Sequence, residues 1–151
     1  MIQQVYLSGA LTGLASPEEY RTFYEALAGV CAEAGIKVYI PHLATDPVKN
    51  PGLSPRDVYE LDRSQVLAAD LVVAYAGFPS LGVGMELEIA NQAGIPVVLL
   101  AESEAPLSRM ARGCPAVIGE IRFASREEAL EGLRSWLMER PNDRIRPHLP
   151  R

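Results

Sequence analysis

Short apolar runs and amphipathic stretches alternate along the chain, and each change of period marks an element. Val5-Tyr6-Leu7-Ser8 is a β-prone run stopped by Gly9. Ser16-Pro17-Glu18-Glu19 then supplies a helix start: a hydroxyl N-cap, a proline at the first helical position, and acidic residues facing the positive end of the helix dipole. Apolar side chains recur at Tyr20, Phe23, Tyr24, Leu27, Val30 and Cys31, the spacing of one helical face. Gly35 stands where a left-handed residue would close that helix. Ile36 to Ile40 reads as a second strand ended by Pro41. From His42 to Leu53 the turns Asp46-Pro47 and Asn50-Pro51-Gly52 predict an irregular loop, of a length that often serves binding in compact domains. Ser54-Pro55-Arg56-Asp57 caps a further helix, with Val58, Leu61, Val66 and Leu67 along one side.

The strand from Asp70 to Tyr75 contains Leu71-Val72-Val73-Ala74, apolar without alternation, as in a strand covered on both faces. A glycine-bearing turn leads to a helix from about Gly84 to Ala93, closed by Gly94. Ile95 to Leu100 is the next apolar strand, Leu107–Arg112 a short helix and Val117–Phe123 a last strand. Ser125-Arg126-Glu127-Glu128 opens a C-terminal helix with a capping-box pattern, and Leu130, Leu133, Trp136 and Leu137 form its apolar face. This alternation predicts an α/β domain over residues 1–139, Rossmann-like or flavodoxin-like: a five-stranded parallel sheet with helices on both faces. A Pro/Arg-containing tail, 140–151, follows.

Composition narrows the function classes. The 151 residues are 48% apolar and 22% charged, the make-up of a globular domain rather than a disordered segment. The net charge of −5, from 14 basic and 19 acidic side chains, has the wrong sign for a protein that grips nucleic acid by its phosphates, so no nucleic acid polymer is expected as a partner. The tail holds four Arg against one Asp and reads as a solvated terminus. Cys31 and Cys114 form neither a disulfide framework nor a CxxC pair. The start Met1-Ile2-Gln3-Gln4 lacks a signal-peptide pattern, and no apolar run approaches the roughly 20 residues that span a bilayer. A cytoplasmic protein without a membrane partner is expected. His42 and His148 have no neighbours at metal-ligand spacing, so neither metal nor cofactor is expected.

In a sheet of order 2-1-3-4-5, ligands bind beyond the carboxyl ends of the strands, where the order reverses. Two loops would meet there, Ser8 to Gly13 and Ala76 to Glu86. In the second, Gly82 and Gly84 admit close backbone approach and unusual dihedrals, and the helix start offers free N–H groups to an anion. No Lys follows as in a P-loop, and GxGxxG spacing is missing, so a triphosphate or dinucleotide fingerprint is not present. A carboxylate, Glu86, enters the first helical turn instead. Taken alone, it reads as a Glu stabilising the helix dipole. Arg109 and Arg112 suit a phosphate or nearby surface carboxylates equally well.

Pro79-Ser80-Leu81-Gly82-Val83-Gly84-Met85-Glu86-Leu87 resembles the active-site motif of the nucleoside 2-deoxyribosyltransferase superfamily, especially its 2′-deoxynucleoside 5′-monophosphate N-glycosidase branch. Three further segments resemble that family in the same order: Val5 to Gly9, its first strand and turn; Asp62, eight residues before Asp70, its acidic helix motif; and Leu107 to Gly113, a phosphate-contacting segment. The resemblance implies that Glu86 is the nucleophile at the anomeric carbon and that Asp62 assists departure of the base or activates the incoming nucleophile. It implies that Tyr6 positions the nucleophile. It places Ser80 and Ser108 on the 5′-phosphate, the latter reaching across from a neighbouring subunit of a homo-oligomer. Ser8, Gly9, Thr12, Gly82 and Gly84 complete the implied substrate- and phosphate-binding set.

Breaking an N-glycosidic bond builds oxocarbenium character that a carboxylate can stabilise or trap covalently, while a second carboxyl group supplies the proton the leaving base needs. The implied activity is therefore hydrolysis of a deoxynucleoside monophosphate to free base and deoxyribose 5-phosphate. Base exchange by a deoxyribosyltransferase and a non-catalytic nucleotide-binding module are the alternatives. The chain departs from the monophosphate branch at Ala10 and Thr12, where that branch typically has Ser and Arg, and at Glu88, where the family often has a small residue. Losing the Arg removes a bidentate phosphate partner and favours the transferase alternative.

Overall fold

The computed structural model describes residues 1–46 and 48–139; the expected Arg-bearing tail lies outside the described residues. Strands β1 (Gln4–Ser8), β2 (Lys37–Tyr39), β3 (Leu71–Tyr75), β4 (Val97–Glu102) and β5 (Val117–Phe123) form one all-parallel sheet in the order β2-β1-β3-β4-β5. The connections are helical: α1 (Pro17–Glu33), the one-turn α2 (Pro41–Ala44), α3 (Pro55–Ala68), α4 (Leu81–Ala93) and the one-turn α5 (Arg109–Arg112). Helix α6 (Arg126–Glu139) follows β5.

Two-residue alternation along the strands divides the core into two layers. Val5, Leu7, Leu71, Val73, Tyr75, Val98 and Leu100 pack with Phe23, Tyr24 and Leu27 of α1 and Leu133 of α6. Tyr6, Val72, Ala74, Val97 and Leu99 pack on the other face with Val66 of α3 and Val83, Leu87 and Ala90 of α4. All five residues of β3 are buried, which explains its unbroken apolar run. Among the described residues no helix is long and apolar enough to cross a membrane.

Four elements differ from the sequence expectation. Helix α4 starts at Leu81, not near Gly84, because the extended Ser80 accepts the Val83 N–H through its side chain (3.4 Å) and acts as the N-cap. The stretch 42–53 is not wholly irregular, since α2 occupies its beginning. It carries His42 fully buried, with Nε2 2.9 Å from Glu25 Oε1. Strand β4 runs from Val97 to Glu102 rather than from Ile95 to Leu100. Helix α3 buries only Val66 of its predicted apolar side, and Leu67 is 42% exposed. The four predicted apolar positions share no single helical face.

Two devices fix the chain around the carboxyl edge of the sheet. Asp46, fully buried, accepts the N–H groups of Val48 (2.8 Å) and Lys49 (3.3 Å) and pairs with Arg21 of α1. Burial pushes its carboxyl up, but these partners outweigh that and hold it below the usual range. The loop after α2 is thereby tied to α1. At Gly9 a Cβ would lie 2.4 Å from Cζ of Tyr24, whose hydroxyl donates to the Ala10 carbonyl at 3.0 Å. Glycine is required there by the packed ring. Gly9→Ala is therefore expected to lower stability by roughly 1–3 kcal/mol, the range for overpacking a core, read as a reduced denaturant midpoint at unchanged slope.

Candidate active site

Tyr6 and Ser8 are two residues apart on β1 and so face the same side, toward α3 and α4. On α4, Val83, Leu87 and Ala90 lie on the sheet, and Glu86 sits on the flank of that stripe, turned toward β1. The Tyr6 hydroxyl donates to Glu86 Oε1 at 2.7 Å, and the Ser8 hydroxyl donates to Oε2. One strand thus holds both oxygens of the carboxylate. Burial pushes the Glu86 carboxyl up, the Ser8 and Tyr6 hydroxyls pull it back, and the charge of Asp62 raises it again; the outcome is a pKa of about 7.

Asp62 lies on α3 beneath the end of β2. Tyr39 donates its hydroxyl to Asp62 Oδ1 at 3.1 Å, and Thr45 Oγ1 is 3.4 Å from both carboxylate oxygens. Burial raises the Asp62 carboxyl, and the hydrogen bonds from Tyr39 and Thr45 only partly counter it, so the net displacement is upward. Tyr39 also stacks on Tyr6, with ring centroids 5.5 Å apart and planes at 24°. The stack follows from register, since Tyr6 and Tyr39 are partners across β1 and β2. Tyr39 and Thr45 escaped the sequence reading. The only signal for Tyr39 is a hydroxyl-tipped ring at the end of the strand paired with β1, and that pairing must be known first; Thr45, at the end of α2, offers none.

Ser8 gives its one proton to Glu86, leaving only acceptor capacity for a substrate. Thr12 is exposed on the first loop. Ser80 and Ser108 cap α4 and α5, accepting from Val83 (3.4 Å) and Ala111 (3.3 Å), so each keeps its own O–H free to donate. Both line a cavity of about 530 Å³ between α4 and the β4–α5 segment, with Leu87, Asn91, Leu99 and Cys114. Glu86 is not among the lining residues: it and Asn91, five residues apart, occupy different flanks of α4.

Gly82 and Gly84 do not have the unusual dihedrals expected of them: positive φ is confined to Gly13, Gly35 and Gly94 among the described residues. A Cβ at Gly84 would meet nothing within 4 Å, and one at Gly82 only Ser80 Oγ at 3.8 Å. Glu86 is the sixth residue of α4, beyond the first turn, so the helix dipole does not account for it. Arg112 is taken up by a surface carboxylate, Glu120, at 2.9 Å. Among the described residues no group of three or more His, Cys, Asp and Glu is placed to hold a metal.

Two half-buried carboxyl groups with raised proton affinity, close enough to act on each other by charge, can divide nucleophilic and acid–base work between them. A stability consequence follows. Glu86 binds its proton more tightly folded, near pH 7, than unfolded, near the ordinary pKa of 4.5. Between those values the native state holds more protons, so stability falls as pH rises through that window. Glu86→Gln removes the effect. The variant should therefore exceed the parent in melting midpoint by more at pH 8 than at pH 5, measured by thermal scans at both.

The family model described as "Domain of unknown function (DUF4406)" matches residues 3–99. A protein of Thermofilum pendens named "Putative 2'-deoxynucleoside 5'-phosphate N-hydrolase 1" is 36% identical over 109 residues, spanning 70% of this chain and 76% of that protein. A protein of the same name from Methanosarcina mazei is 30% identical over 132 residues, spanning 85% and 80%. The fold is shared with the CMP N-glycosidase of Clostridium botulinum (TM-score 0.70, 24% identity, 89% of this chain and 100% of that one). It is also shared with a 2-deoxyribosyltransferase of Bacillus psychrosaccharolyticus (TM-score 0.62, 19% identity, 84% and 90%). The chain thus belongs to the DUF4406 family and to the family of the relatives named 2'-deoxynucleoside 5'-phosphate N-hydrolase 1, and it has the fold of an N-glycosidase and a deoxyribosyltransferase.

Proposed function

We propose that the protein hydrolyses the N-glycosidic bond of a 2′-deoxynucleoside 5′-monophosphate, releasing the free base and deoxyribose 5-phosphate. The observation that carries this reading is Glu86, a carboxylate held by two β1 hydroxyls, with an ionisation near pH 7. Glu86 attacks C1′ as the bond to the base breaks, and Asp62 gives its proton to the departing base. Asp62, now ionised, takes a proton from water, whose oxygen displaces Glu86 from C1′. The carboxylate and acid are then restored. Ser80 and Ser108, each with a free O–H, and the uncovered first turn at Gly82 and Gly84 suit a phosphate dianion.

We propose in addition that the protein is a homo-oligomer. The outer face of α3 and α4 exposes Tyr59 (43%), Leu67 (42%) and Met85 (52%), and the charges of Arg63 and Glu88 line the same surface. A second copy presenting this face would cover the apolar groups and pair the charges. Leu67→Glu is expected to reduce the mass measured by light scattering to that of the single chain.

Base exchange remains the second reading, favoured by Ala10, which is buried, and Thr12 where the monophosphate branch typically has Ser and Arg. Chromatography of each deoxynucleoside and its monophosphate, with and without a second free base, separates the two. Free base without a new nucleoside is the expected result, and a new nucleoside assigns the transferase. Glu86→Ala should lower base release by about 10³-fold or more, and Ser80→Ala should raise KM for monophosphates but not for nucleosides. The carboxyl pair acts while it holds one proton, so the rate should trace a bell whose falling limb lies near pH 7. Full activity in Glu86→Ala would refute the mechanism.

A further inference from the structure

Asp62 rests on a helix that buries little, yet its carboxylate must meet the leaving base in one orientation. Four parts of the chain surround it. From β2, the Tyr39 hydroxyl donates to Oδ1 at 3.1 Å. From the segment after α2, Thr45 Oγ1 stands 3.4 Å from both oxygens, but its single proton already has a shorter acceptor, the Pro41 carbonyl at 3.0 Å. From α4, Glu86 interacts with it through charge, while Tyr6 of β1, whose phenol burial keeps protonated, brings no charge to it. The full-strength side-chain donor to Asp62 is therefore Tyr39. Its ring is fixed in turn by stacking on Tyr6, the residue that holds Glu86.

We infer that Tyr39 is the positioning residue of Asp62: by occupying Oδ1 it assigns the transferable proton to Oδ2 and links the two carboxylates through the Tyr6–Tyr39 stack. This rests on the acid role proposed for Asp62. An oxygen that accepts a hydrogen bond along one lone pair is the poorer site for a proton, so the acid form carries it on the other oxygen. That oxygen, unclaimed by Tyr39, is the one left to face the base. The reading also explains a tyrosine at a position where a phenylalanine would stack equally well: the hydroxyl is what the acid needs.

Tyr39→Phe keeps the ring and removes the donor. In full-length protein with carbon-13-labelled aspartate carboxyls, the Asp62 titration should move to higher pH, because a hydrogen bond to the ionised form is lost. The melting midpoint should stay within a few degrees. Base release should fall about tenfold in the Asp62 chain, the scale of one hydrogen bond to a charged group, but change less than about twofold in an Asp62→Asn background, where there is no acid to orient. An unmoved Asp62 titration overturns the inference. So does an unchanged or raised rate, or an equal loss in the Asp62→Asn chain. If the parent releases no base from any nucleotide, the proposed function fails, while the titration still decides whether Tyr39 governs Asp62.

Discussion

The structure depends on one costly contact: a carboxylate from the second turn of α4 lodged against two hydroxyls of β1. Taking a charged group out of water is opposed by several kcal/mol unless partners replace the solvent. Here Tyr6 and Ser8 replace it, one per oxygen. They hold the group in place without making it an ordinary surface acid, so it exchanges its proton near neutrality. The strand order serves this contact. With β1 next to β3, a helix leaving β3 starts near enough to the carboxyl end of β1 for Glu86 to reach Tyr6 and Ser8, at the point where the strand order reverses.

Helix α4 has flanks with different chemistry. One presents Glu86 to β1; another, through Gly84, Leu87 and Asn91, borders the cavity closed by α5. Its first turn carries glycines that no neighbour among the described residues requires. Glycine in a helix costs up to about 1 kcal/mol relative to alanine. Two of them with ordinary dihedrals leave the backbone of that turn open to the phosphate proposed above. Ser80 has a matching double use: its oxygen ends the helix while its proton remains to be given away.

Much of the fold was legible because it depends on local rules. Unbroken apolar runs marked β3 and β4, and Ser-Pro starts marked α1 and α3. Glu86 and Asp62 were legible by resemblance rather than by physics, since a lone Glu after a glycine turn reads as a dipole partner until the helix start is known. What the chain concealed was set by pairing across elements. Tyr39 matters because register places it beside Tyr6. Ser8 proved to be a partner of Glu86, although its position in a first-strand turn suggested substrate contact. The reading of α3 fails for another reason: at about 100° per residue Leu67 stands opposite Val58, so the four apolar positions share no single face, and Val66 is buried while Leu67 is exposed.

That exposure bears on the chemistry. Val66 is the single buried residue of α3, and a capping box of Ser54 and Asp57 secures the helix start far from Asp62. A catalytic carboxyl needs its orientation held to a fraction of an ångström, which a helix docked through so little apolar surface does not supply alone. The hydrogen bond from Tyr39 supplies part of it from the sheet side. If a second copy covers Tyr59 and Leu67, it supplies the remainder from outside, and the acid is fully placed only in the assembled protein. Assembly would then govern the reaction by fixing α3, even if no partner residue touched the substrate.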